Sequence, residues 1–263
     1  MCPTASISAL RDRIRQIERP ARHGVLPFGV AAIDCALPGG GLALGAVHEI
    51  MGQDGDEEDG AAAAGFAAAI LARLGGGPVL WCRRRPDLYG PGLMMQGLDP
   101  ARLVLVTAPR DDEILWAVEE GLRAGPAAGL AAVVGELGRL PMVAGRRLQL
   151  AAERSGVTAL VLRRWRSADE AAAERDRPSA ALTRWRVSAL PSAAIAGVPG
   201  TNESGLGRPR WRVALLRVRG GAPGAWDVEV ADATGHVSLS AELADRPAAP
   251  AWLGAEPRYQ RTG

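Results

Sequence analysis

Val47-His48-Glu49-Ile50-Met51-Gly52-Gln53-Asp54-Gly55-Asp56-Glu57-Glu58-Asp59-Gly60 is the passage whose reading decides the fold. Val47–Met51 is a short strand candidate. The alanine-rich stretch that follows, Ala61–Leu74, carries Phe66, Ile70, Leu71 and Leu74 and reads as a helix. The same unit recurs downstream. Strands are expected at Pro78–Cys82, Leu103–Thr107, Leu130–Val134 and Thr158–Leu162, and helices at Asp111–Ala124 and Met142–Arg154. Asp111 is the expected cap of its helix. Leu103–Thr107 is almost continuously apolar, as buried parallel strands are. Strands alternating with helices at this spacing predict an α/β fold, a parallel sheet with helices on both faces.

From about residue 180 the rhythm changes. Arg184–Leu190, Trp211–Val218, Trp226–Ala231 and His236–Leu239 read as strands with no helix between them. Glycine-rich turns at Gly220–Gly224 and at Ala233-Thr234-Gly235 separate the last three, so antiparallel strands extend the sheet at its C-terminal side. Residues 191–209 and Ser167–Ala180 read as loops. The reading divides the chain into an N-terminal helix or arm (1–20), one α/β domain (21–243) and a loose tail (244–263). In the arm, Ile7, Leu10, Ile14 and Ile17 recur at helical spacing and form one apolar stripe over residues 6–19, which Pro20 ends. That stripe packs on its own domain or docks on another protein.

The 263 residues, 48% hydrophobic and 23% charged, exclude a disordered or fibrous chain. No apolar run is long enough to span a membrane, and the arginine-rich start lacks a signal peptide's apolar centre, so a cytoplasmic protein is expected. Cys2, Cys35 and Cys82 are scattered, as are His23, His48 and His236. None has the spacing of a metal site, and no nucleophilic triad can be argued from them. No metal and no cofactor are expected.

All 31 basic residues are arginine; the chain has no lysine. That bears on the turn after Met51, the usual ligand position of such a fold. A phosphate loop needs glycines, a lysine for the terminal phosphates and a hydroxyl for magnesium. Counted from Gly52, the lysine position falls on Glu58 and the hydroxyl position on Asp59. Counted from Gly55, they fall on Ala61 and Ala62, with Gly60 just before. Asp54, Asp56, Glu57, Glu58 and Asp59 place five carboxylates where a triphosphate would sit. An ordinary phosphate-loop ATPase is not expected.

Phe28-Gly29-Val30-Ala31-Ala32-Ile33-Asp34, Leu37, Gly39-Gly40-Gly41-Leu42, Gly45 and Val47-His48-Glu49-Ile50 closely resemble the entry into the RecA-type core. The resemblance covers roughly residues 25–240. It implies a RecA-like core and catalytic positions that can be checked. A magnesium-associated Asp would follow the apolar strand Leu130–Val134, where Gly135 stands with Glu136 next. A water-activating Glu would follow Cys82, where Arg83-Arg84-Arg85 stands. Three catalytic positions depart together, so no enzymatic activity is expected. The missing lysine and compact length are most similar to the ImuA family, RecA/SulA-like accessory proteins of the bacterial mutagenesis cassette. That resemblance implies a scaffold in damage-induced translesion synthesis. It implies as partners an ImuB-like inactive relative of Y-family polymerases and an error-prone DNA polymerase. RecA, single-stranded DNA and self-association are further candidates. The rivals are a SulA-like cell-division inhibitor and a DNA-dependent RecA-type ATPase.

Three tripeptides repeat: Arg164-Trp165-Arg166, Arg184-Trp185-Arg186 and Arg210-Trp211-Arg212. Strand neighbours point to opposite faces, so inward tryptophans would turn all six arginines outward. Adjacent strands would gather them into one patch for an acidic partner or for single-stranded DNA. Residues 154–219 carry thirteen arginines against five acids, which favours such a surface. Arg83, Arg84 and Arg85 form a second basic cluster at the presumed ligand edge.

Overall fold

The structure is a computed structural model. It describes residues 22–240 apart from 55, 126, 166, 193, 196–204 and 231–233, with backbone alone at 57, 58, 168, 175, 194, 195, 205 and 206. The expected arm (1–20) and tail (244–263), with Ile7, Leu10, Ile14 and Ile17, lie outside these residues, as do Gly55 and Arg166.

β1 (Val25–Leu26) and β2 (Leu42–Ala43) form a short antiparallel ribbon around α1 (Ala31–Asp34). β3 (Val47–Gly52) then leads into α2 (Asp56–Arg73), and β4 (Val79–Arg83) into α3 (Gly90–Met95). β5 (Leu103–Thr107), α4 (Asp111–Ala124), β6 (Ala132–Leu137), α5 (Met142–Ser155), β7 (Thr158–Arg163), α6 (Ala168–Arg175) and β8 (Thr183–Leu190) complete the alternation. β9 (Ala194–Ile195) and β10 (Gly205–Leu206) pair only with each other. β11 (Arg210–Val218), β12 (Gly224–Val230) and β13 (Val237–Leu239) return to the main sheet.

That sheet has nine strands in the order β13-β12-β11-β8-β3-β7-β6-β4-β5. The run from β8 to β5 is parallel; β11, β12 and β13 add antiparallel. The expected α/β, RecA-like architecture is thus the one observed. On one face α2 brings Phe66, Ile70 and Leu71 against Ile50, Trp81, Leu160, Trp185 and Trp211. The rings of Phe28, Phe66 and Trp185 meet there with centroids 5.4–5.9 Å apart. On the other face α4 and α5 set Ile114, Val118, Leu122 and Leu148 on Val47, Cys82, Val133 and Val161. β3, β6 and β7 are buried along their whole length, as strands covered on both faces must be.

Several expectations need correction. α2 begins at Asp56, not Ala61, so the acidic stretch is the first helical turn, where the helix dipole favours carboxylates. β5 is the outermost strand and has β4 as its one neighbour. Its apolar run is half open, with Val104 48% and Leu105 45% exposed, rather than buried. Asp111 does not cap α4: Arg110 stands at the cap without a side-chain bond, and Asp111 Oδ2 instead accepts the Arg139 N–H at 3.0 Å. Ser167–Ala180 is not all loop, because it contains α6, whose Ser167 Oγ accepts the Glu170 N–H at 3.2 Å. α3 was hidden by its glycines and proline, which argue against helix, and α1 by its length of four residues.

Candidate functional site

The turn from β3 into α2 lies at the carboxyl ends of the parallel strands, where α/β folds bind their ligands. In a phosphate loop the backbone N–H groups of such a turn point at an anion. Here the anion is built in. The buried Asp59 carboxylate accepts the N–H groups of Gln53 (3.1 Å) and Asp54 (3.2 Å) through Oδ2, and that of Ala189 in β8 (3.0 Å) through Oδ1. Gly52 makes room for it, since a Cβ there would lie 2.8 Å from the Asp59 Cβ. Gly60 lies against Asp56, 3.2 Å from its Oδ1 to a Cβ built at the glycine. Glu58 lies on α2, but its side chain is outside the described residues.

Beside this turn a shallow cleft is lined by Asp56, Arg84, Arg85, Asp87, Glu136 and Arg164. Arg164 fills its centre. Its Nε lies 2.8 Å from Asp56, and its two terminal nitrogens lie 2.8 Å from Asp87 and 3.4 Å from Glu136. Glu136 also accepts the Trp81 indole N–H at 2.8 Å. Burial raises the Glu136 carboxyl above its usual range, and Arg164 and Trp81 offset part of that rise. Burial works against the Arg164 charge too, but Glu136, Asp56 and Asp87 outweigh it and its pKa rises. Loop and cleft are therefore occupied by the chain's own anion and cation. Among the described residues no cluster of His, Cys, Asp or Glu could hold a metal ion.

The basic clusters do not form the expected patch. Arg83 donates to the Thr107 hydroxyl at 3.3 Å and Arg84 lies 3.4 Å from Asp111; Arg85 is exposed at the rim of the cleft. The three tryptophans are buried as expected: Trp165 2%, Trp185 0% and Trp211 5% exposed. The arginines separate. β7 and β8 flank β3, so Arg164, just beyond β7, is two strands from Arg184. Arg184 is buried 2.8 Å from Glu49. Arg186 is half-buried on the face away from the main core. Arg210 lies 3.8 Å from Glu229 and donates to Ser240 at 3.1 Å; Arg212 pairs with Asp227 at 2.8 Å. The expected patch is thus corrected, for the five of its arginines among the described residues, to separate, mostly neutralised sites.

Sequence reasoning missed a second charged layer. Under α6, Glu49 is fully buried and shared by Arg184, the Ser179 hydroxyl and, at 3.9 Å, Arg163. Arg163 also reaches Glu174 at 3.1 Å and stacks its guanidinium over the Trp165 ring, 5.5 Å from the centroid. Burial lowers the Arg163 pKa against the pull of Glu49 and Glu174. The signal was present: Glu49 is an acid in the middle of an apolar strand, and such an acid needs a buried cation.

No family model matches the chain. Protein ImuA of Caulobacter vibrioides strain NA1000 / CB15N is 41% identical over 240 residues, covering 88% of this chain and 94% of that protein. Protein ImuA of the strain ATCC 19089 / CIP 103742 / CB 15 matches to the same extent. At that identity, over nearly the whole length of both chains, this chain belongs to the ImuA family.

Proposed function

We propose that this chain is a non-catalytic RecA-fold scaffold of the bacterial mutagenesis cassette, acting in damage-induced translesion synthesis. Family membership supports the place in the cassette. The observation that carries the non-catalytic part is the pair of internal charges at the ligand edge. Asp59 takes the backbone donors a phosphate would need, and Arg164 fills the adjoining cleft. A nucleotide would have to displace a buried carboxylate and bring its own charge beside Asp56 and Asp87, without a lysine to offset it. The implied partners are an ImuB-like polymerase relative and an error-prone DNA polymerase.

Two measurements test this reading. Purified protein incubated with ATP, magnesium and single-stranded DNA is expected to show no turnover above a blank; DNA-stimulated hydrolysis overturns the non-catalytic assignment. Tagged protein recovered from DNA-damaged cells is expected to retain polymerase-type partners after nuclease treatment. Partners lost with nuclease would mean an association that runs through DNA, and a division protein in their place would overturn the cassette role.

A further inference from the structure

The paired helices α4 and α5 carry an apolar face that the described residues leave open. Trp116 is 67% exposed on α4; Val143 and Leu150 are 70% and 52% exposed on α5. The two helices are tied by Arg147 of α5, which bonds Glu119 of α4 through both carboxylate oxygens. Val143 is one turn before Arg147 and Leu150 one turn after it, while Trp116 is one turn before Glu119. Both helices cross back from parallel strands and so run in the same direction, which sets Trp116 beside Val143 across the groove. The three side chains make one stripe.

We infer that the chain's own residues 6–19 cover this stripe. Three observations select that occupant. The described chain begins at the right place: the His23 ring bonds the carbonyl of Glu153, in the last turn of α5, at 2.8 Å. Three residues separate Arg19 from that anchor, four residue steps or about 13 Å at full extension. A helix over 6–19 is about 21 Å long, the same as α5, and can lie along it in the same direction. Ile17 then falls near Leu150, and Leu10 and Ile7 near Val143 and Trp116. The charges also fit. Arg11 and Arg13 flank the apolar stripe of the arm, and Trp116 is surrounded by Asp112, Glu113 and Glu120, of which Asp112 already pairs with Arg110 and Glu120 with Arg123. Glu113 pairs with Arg110 through Oε1, but its buried Oε2 has no hydrogen-bond partner.

The test uses the full chain with Cys2 and Cys35 changed to Ser and one pair of cysteines added, I17C with L150C. Mild oxidation at low micromolar protein should give an intramolecular disulfide: a faster monomer band on a non-reducing gel, insensitive to tenfold dilution. A disulfide-linked dimer that fades on dilution overturns the inference, because the arm would then lie on a second copy. Free thiols after oxidation overturn it as well. A second readout does not depend on thiols. L10S and V143S should each lower the melting temperature, and the double variant should fall short of their sum. Additive losses contradict the contact.

Discussion

At the scale of single residues, the ligand edge is held by charges that cannot be removed one at a time. Asp59 accepts three backbone hydrogen bonds from a buried position. Asp59→Ala leaves three donors without a partner and should cost about 3 kcal/mol, read as a lower urea midpoint at unchanged slope. It should not create measurable ATP binding, because Glu58 and the missing lysine remain. Arg164→Met leaves Asp56, Asp87 and Glu136 facing one another. The loss should be about 2–3 kcal/mol at pH 7, discounted for the partial exposure of Arg164. Glu136, already raised, would then take up a proton more readily, so the deficit should shrink between pH 7 and pH 5. Adding Glu136→Gln should recover part of it. Equal deficits at both pH values would remove this account of the cleft.

His48 sets a second pH dependence. It is fully buried in β3, bonded to the Thr183 hydroxyl at 2.7 Å and to the carbonyl of Ala43 at 2.8 Å. Burial lowers its pKa from 6.5 to about 4. The unfolded chain therefore binds this proton first. Stability from His48 is complete above pH 6.5 and is lost progressively as pH falls toward 4, on the order of 3 kcal/mol in all. His48→Gln should flatten that part of the stability profile; a profile identical to that of the unchanged protein would contradict the assignment.

At the scale of elements, the sequence was most legible where periodicity and burial agree. The expected helices Asp111–Ala124 and Met142–Arg154 match α4 and α5 to within a residue. It misled where position in the sheet decides. The apolar run of β5 looks internal, yet nothing local states that only one strand will pair with it. α6 carried its own signature, Ser167 followed by Glu170, but the surrounding charges masked it. At the candidate site the loss of the phosphate loop was legible from residue types. The replacement of phosphate by Asp59 was not, since Ala189 lies 130 residues away. Gly135 joins both levels. It stands where the resemblance implies a magnesium-associated Asp, and a Cβ there would lie 2.7 Å from a Val118 methyl of α4. Gly135→Asp should therefore destabilise by about 2–3 kcal/mol through overpacking and a buried charge, rather than restore a metal site. A melting temperature within a degree of the parent would show that α4 can yield.

At the scale of the whole molecule, the described arginines of the second half do not present one basic field. Arg163, Arg164 and Arg184 are spent inside, each against a carboxylate, and Arg210 and Arg212 pair across β11 and β12. Only the outer arginines can report on a partner or on DNA. Arg184→Glu would place a second carboxylate beside buried Glu49 and should unfold the protein, so lost binding in that variant says nothing about an interface. Arg186, half-buried in β8, and Arg212, exposed in β11, lie on the face away from the main core, and Arg186→Glu and Arg212→Glu should each change stability by no more than about 1 kcal/mol. If this face meets an acidic partner, the double variant will melt like the parent yet lose that partner in nuclease-treated purifications. If the face is idle, the double variant will retain every partner, and the contact must lie elsewhere, with the open edge of β5 the first place to search. DNA bound through this face would instead show a steep loss of affinity with salt that both substitutions flatten, by roughly one phosphate contact each.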